Sequence, residues 1–209
     1  MTVVLVRELR DNKRNEHIKE HFFMRLERLT KAQVEDIYKN KMIEDFPKAE
    51  IKPLEVILKA IDNDIYEPLG LFDDDRIIGY TFLAKLGSNY LVDYLAVYAN
   101  SRNSGAGSCM VQLLADYLKD AENIIGEVEN PDYATDAPSK DIQTRRLNFY
   151  FRNGCTDTGL RVKCFGVPFR ILRVGERQSE NHDELWEMYQ EFYRRVLPKE
   201  MFEKNICRL

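Results

Sequence analysis

Apolar positions along the chain recur at two spacings, and the switches between them predict the order of elements. "TVVLVREL" is β-branched enough for a strand, "NKRNEHIKEHFF" reads as a charged helix or connector, and "FFMRLERL" alternates like a short strand. In "TKAQVEDIYKNKM", Val34, Ile37 and Tyr38 fall at helical spacing behind Thr30, whose hydroxyl suits an N-cap. "FPKAEIKP" is a proline-bracketed loop and "LEVILKAID" a further helix. Then come "YEPLGLFDDDRIIGYTFLAKL" and "NYLVDYLAVY", with turns predicted at "DDD" and "LGSN", which gives an antiparallel meander. A helix is expected over about 104–119, where Met110, Leu113, Leu114, Tyr117 and Leu118 form one stripe.

"NIIGEVEN" reads as a strand, Pro131 to Pro138 as a polar loop, and "KDIQTRRLNFYFRN" as a helix stopped by Gly154 at C′. Strands over about 155–165 and 168–174 turn at Gly166, and "HDELWEMYQEFYRRVL" is the last helix. The order predicts a mixed α/β (α+β) fold in one domain over 1–209. Residues 1–22 are an N-terminal addition and 181–209 a C-terminal helix and tail.

The net charge of −4 and pI of about 5.6 speak against general nucleic-acid binding. No apolar run reaches the roughly 20 residues of a membrane span. The N-terminus lacks the leading charge and cleavage site of a signal peptide. Four cysteines without CxxC spacing fit reduced thiols, so the expected location is cytoplasmic. The final Cys207-Arg208-Leu209 loosely fits a small-basic-Leu peroxisomal address, a match that chance also produces.

The chemistry begins at "SRNSGAGS", residues 101–108, between an apolar strand and the amphipathic helix. A strand entering a helix through glycines leaves backbone N–H groups unpaired, and these with the helix dipole favour an anion. Gly105 and Gly107 permit close backbone approach, and Arg102 can add a charge. No Walker run is present, and the dinucleotide fingerprint fails because Met110 stands where its third glycine belongs. Spacing alone leaves a phosphate cradle and a plain structural turn both open.

In context, "YLAVYANSRNSGAGSCMVQLLADYL" resembles the acetyl-CoA loop of the GNAT superfamily of N-acetyltransferases, Arg/Gln-x-x-Gly-x-Gly/Ala, filled here by Arg102, Gly105 and Gly107. "QTRRLNFYFRNGC" is similar to the family's later tyrosine-bearing helix, and "EVENP", "FPKAEIKP" and "YRRVLP" resemble a subset of uncharacterised bacterial members. The likeness runs from about residue 23 to the C-terminus. It implies a mostly antiparallel central sheet flanked by helices, with two strands splayed to form the acetyl-CoA cleft. The amides of Arg102, Asn103, Ser104, Gly105, Ala106, Gly107 and Ser108 would hold the CoA pyrophosphate. Those of Leu95, Ala96 and Val97 would take the acetyl oxygen and pantetheine arm. Gln143 stands where members often carry Asn, and Ala106 where a larger aliphatic is common.

Acetyl transfer to an amine needs a base, a stabilised carbonyl oxygen and an acid for the leaving thiolate. Gln143, Arg146 and Tyr150 share one helical stripe, and the resemblance puts the Tyr150 hydroxyl near the thioester sulfur. A core tyrosine beside Phe149 and Phe151 is the plainer alternative. Glu127, Asp93 and Glu129, in that order, are candidate bases. Glu127 and Glu129 should share a strand face, and Asp93 should lie with Leu91, Leu95 and Val97. Each could equally be a solvated or satisfied acid.

His17 and His21 sit at i, i+4 without a third ligand, so no metal is expected. Cys155 and Cys164 have no paired histidine, which favours direct attack over an acyl-enzyme. In such a fold the acceptor enters opposite the cofactor, which would place Phe46 and Glu50 along its path, with the 131–139 loop nearby. The expected activity is acetyl-CoA-dependent N-acetylation of a small-molecule or peptide primary amine, with no nucleic-acid or membrane partner. Oligomeric state stays open, a homodimer included. A non-catalytic CoA-binding module of the same fold, or an unrelated α/β domain, is the alternative.

Overall fold

A computed structural model describes residues 4–7 (main chain only), 24–48, 50–175 and 181–209. The expected helix over 12–23, with His17 and His21, lies outside the described residues.

Nine strands form one sheet in the order β1-β2-β3-β4-β5-β6-β8-β7-β9. They are β1 (Val4–Arg7), β2 (Met24–Arg28), β3 (Tyr66–Asp73), β4 (Arg76–Leu86), β5 (Asn89–Val97), β6 (Asn123–Glu129), β7 (Cys155–Cys164), β8 (Val167–Val174) and β9 (Ile206–Arg208). Every pairing is antiparallel except β5 with β6. The meander and both of its turns form as the sequence predicts. The Phe165-Gly166 turn between β7 and β8 has both residues at positive φ, 48° and 85°, the two-residue geometry whose twist matches a hairpin.

The helices are α1 (Lys31–Ile37), α2 (Ile43–Asp45), α3 (Leu54–Asp62), α4 (Ala106–Tyr117), α5 (Ala137–Arg152), α6 (His182–Val196) and α7 (Lys199–Asn205). Thr30 caps α1 through a capping box with Gln33. A π-helical turn, Tyr38–Met42, joins α1 to α2. The expected loop at Pro131–Pro138 is shorter than predicted: α5 starts at Ala137, because Asp136 accepts from the Ser139 N–H as N-cap and Pro138 fits the first turn. Beyond the predicted last helix come α7 and β9, which pairs with β7 so that the tail becomes a sheet edge. No helix among the described residues is long and apolar enough to cross a membrane.

The apolar residues divide between the two sheet faces. Val34, Ile37, Ile57, Leu185, Tyr189 and Phe192 from α1, α3 and α6 pack on one. Met110, Leu113 and Leu114 of α4 pack on the other, where Leu147 of α5 joins Val111 and Val128.

Candidate active site

The site starts from an irregularity in β5. Pairing with β4 runs Phe82↔Tyr94 and then Leu83↔Val92, so Asp93 is an extra residue with no partner, a β-bulge. Because side chains alternate with a period of two, one inserted residue changes the face of everything after it. Tyr94, Ala96 and Tyr98 therefore pack with Leu91, whereas Leu95 and Val97 pack with Tyr90 and Val92 on the α4 face. The expected grouping of Asp93 with Leu91, Leu95 and Val97 is thus corrected: Leu95 and Val97 sit on the opposite face from Leu91.

Past the bulge, β5 and β6 part. Their parallel pairing covers only Asn89–Val92 with Asn123–Gly126. Tyr98 N–H donates to Ile78 C=O on β4, and Ala96 lies opposite Tyr80. By alternation, Leu95 and Val97 turn their main-chain groups away from β4, toward the gap. The Arg102 Nε reaches Val97 C=O at 3.0 Å on that side.

A cavity of about 840 Å³ occupies the gap and crosses the sheet. On the α4–α5 face its lining includes Leu95, Val97, Gly107, Phe149, Tyr150 and Cys155. On the α6 face it includes Phe46, Ile51, Tyr94, Phe165, Tyr193 and Leu197.

At one end lies the glycine loop. Gly105, at φ 87°, is the N-cap of α4 and no side chain caps the helix. At this end Cys109 N–H donates to Gly105 C=O at 3.0 Å, the first i→i−4 bond of the helix. The amides of Ala106, Gly107 and Ser108 thus precede the helical ladder and can serve an anion. A Cβ on Gly107 would stand 3.2 Å from the Phe149 ring, so the glycine keeps this wall thin.

No protein-family model matches the sequence, and no curated protein sequence does either. Solved structures do match. A protein described as a GNAT-family acetyltransferase, from Bacteroides thetaiotaomicron, superposes with TM-score 0.65 at 23% identity, over 83% of this chain and 99% of its own. The ribosomal-protein-S18-alanine N-acetyltransferase of Escherichia coli gives 0.54 at 12% identity, over 76% and 99%. An aminoglycoside 6'-N-acetyltransferase complexed with coenzyme A gives 0.52 at 14% identity, over 74% and 99%.

This chain has the GNAT fold.

Within that GNAT fold the residues expected to bind the cofactor divide between those that line the cavity and those that do not. Leu95, Ala96, Val97, Arg102, Gly107, Arg146 and Tyr150 line the cavity. Asn103, Ser104, Gly105, Ala106 and Ser108 lie outside its lining, most of them on the exposed loop, where the Ser104 hydroxyl donates to Ser101 C=O at 2.7 Å. Arg102 does not reach freely toward the loop: its Nη2 bonds Asp45 Oδ1 at 2.8 Å, and Tyr80 also donates to Asp45 at 3.1 Å. Gln143 lies outside the lining, donating to Glu129 Oε1 at 3.4 Å. Its own Oε1 is buried with no partner among the described residues.

The carboxylates separate by partner. Both Asp93 oxygens accept from Lys52 Nζ at 2.9 Å, and the Tyr66 hydroxyl donates to Oδ2. Burial alone would lower the Lys52 ammonium, but the Asp93 charge and hydrogen bond, with Tyr66 and Tyr94, together outweigh it and hold the pKa well above its usual value. Glu129 is bonded by Arg146. Glu127 accepts from the hydroxyls of Tyr189 and Tyr193 on α6 and has no salt bridge among the described residues. Burial pushes its carboxyl up to about 7; the Asp93 charge adds to this and the tyrosine hydroxyls oppose it. Glu127 and Glu129 do both line the cavity.

The Tyr150 hydroxyl has no hydrogen-bond partner among the described residues, and burial raises its pKa to about 12. Cys155, raised to about 11 by burial, remains a thiol at neutral pH. Phe46 and Glu50 line the cavity, whereas the 131–139 segment does not. Lys52, Tyr94, Tyr189 and Tyr193 escaped the sequence reading. The i, i+4 spacing of the two α6 tyrosines was a signal; for Lys52, in a loop 41 residues from its partner Asp93, there was none.

Proposed function

We propose that this chain acetylates a primary amine by direct attack on acetyl-CoA. One observation carries the reading: a single cavity crosses the sheet at the β5–β6 gap, with Tyr150 on one face and Glu127 on the other. The residues present fit the donor. Main-chain groups of Leu95 and Val97 face the gap, the α4 amides lack a side-chain cap, and Gly107 leaves room beside Phe149.

Acetyl-CoA, when bound, supplies the thioester carbonyl. Leu95 and Val97 N–H groups would stabilise the charge that grows on its oxygen. Glu127 serves as the base, since a carboxyl near 7 is half ionised at neutral pH and can take a proton from the acceptor ammonium. The nitrogen–carbon bond forms as the carbon–sulfur bond breaks. One ammonium proton leaves to solvent through Glu127, and Tyr150 delivers a second to the sulfur. Asp93 and Glu129, each tied to a cation, hold the site in shape. With Cys155 kept as a thiol, no acyl-enzyme step is needed.

The test incubates the purified chain with acetyl-CoA and a panel of amines, reading free CoA with a thiol reagent. Amine-dependent thiol release is expected. A raised melting temperature with CoA but no thiol release on any amine would instead leave a non-catalytic CoA-binding module.

A further inference from the structure

Among the described residues, the cavity on the α6 face combines two carboxylates outside any salt bridge with apolar walls, and the inference from this rests on the acetyl-transfer reading. Of the carboxylates in the cavity, Asp45, Asp93 and Glu129 are spent on Arg102, Lys52 and Arg146. Glu127 and Glu50 form no salt bridge among the described residues; burial and the Glu129 charge raise the Glu50 carboxyl. Around them the walls are apolar: Phe46, Ile51, Phe165, Phe169, Leu197 and Met201. Phe46 stands edge-on to Tyr94 at 5.2 Å, which fixes one wall beside the Lys52–Asp93 pair. Met201, 44% exposed on α7, belongs to the cavity's outer rim.

We propose that the acceptor is a monocation on an apolar body, either an arylalkylamine or a peptide N-terminus led by an apolar residue. Glu127 receives the reacting ammonium and Glu50 shares its charge, while the walls bury the body and gain from excluding water. A polyamine brings further charges that these walls would strip of water without partners, which is unfavourable.

The experiment uses the full chain with 2-phenylethylamine, a phenylalanine-led tripeptide amide and spermidine. It measures kcat/KM by thiol release and, in parallel, amine binding to the CoA-loaded protein by calorimetry. At least one of the first two should exceed spermidine by about tenfold or more, and their ratio tells free amine from peptide. Met201→Glu adds a carboxylate at the rim and should cut that preference about tenfold, leaving the CoA-induced melting shift unchanged. Preference for spermidine, no amine binding, or an unmoved ratio in Met201→Glu overturns the inference. If amines bind but release no thiol, acetyl transfer fails, and the order of their affinities still decides the acceptor class.

Discussion

At the scale of single residues, the candidate site gives similar side chains different partners: Asp93 meets Lys52, Glu129 meets Arg146 and Glu127 meets Tyr189 and Tyr193. Glu127→Gln should lower kcat by about 10²–10⁴-fold and remove the acid limb, near pH 7, from the pH–rate profile. The same variant reports on stability. With its folded pKa raised, Glu127 binds a proton more tightly in the folded chain than in the unfolded one. Wild-type stability should therefore fall as pH rises from about 4.5 to about 7. Glu127→Gln should match wild type in melting temperature at pH 4 and exceed it at pH 8; equal melting at both would mean that the carboxyl titrates normally. Tyr150→Phe should fold normally and turn over at least about 100-fold more slowly, and full turnover would remove it from the acid role. Lys52→Met strands the buried Asp93 charge and should destabilise by about 3–5 kcal/mol in denaturant titration, with Asp93→Asn in the same chain recovering part of the loss.

At the scale of elements, two local features make the cleft. The bulge at Asp93 ends regular pairing and lets β5 leave β6, and the start of α4 supplies uncapped amides beside the gap. Gly105 adopts a left-handed backbone, so Gly105→Ala should lower stability by about 1 kcal/mol or somewhat more and weaken CoA binding. Gly107→Leu should abolish the CoA-induced melting shift with the circular dichroism of the fold retained, because its side chain meets Phe149. The loop was legible because its glycines are a local requirement written at fixed spacing. The bulge was not: the apolar alternation of "NYLVDYLAVY" reads as one unbroken strand, and only the partner strand reveals the extra residue.

At the scale of the molecule, the proposed donor and acceptor halves lie on opposite faces of one sheet and meet through the gap. CoA should stabilise the whole chain, by about 2.7 kcal/mol at 100 times its dissociation constant, read as a rise in melting temperature. The α6 face of the cavity, the proposed acceptor half, is lined from three distant stretches: the loop at 46–53, the β7–β8 turn and the α6–α7 connection. No pairwise spacing in the chain announces that they converge.

The sequence by itself determined the order of elements from β2 to α6, the Thr30 cap, the glycine turn into α4 and the tyrosine helix that follows, because each depends on residues within a few positions of one another. Tertiary structure alone decided which carboxylates in the cavity are tied to cations and which are not. Asp93 and Glu129 meet cations carried in from Lys52 and Arg146, while Glu127 meets only tyrosine hydroxyls, and burial then sets its proton affinity. The chemistry of a carboxylate is local, but its charge state is fixed by what the fold brings beside it.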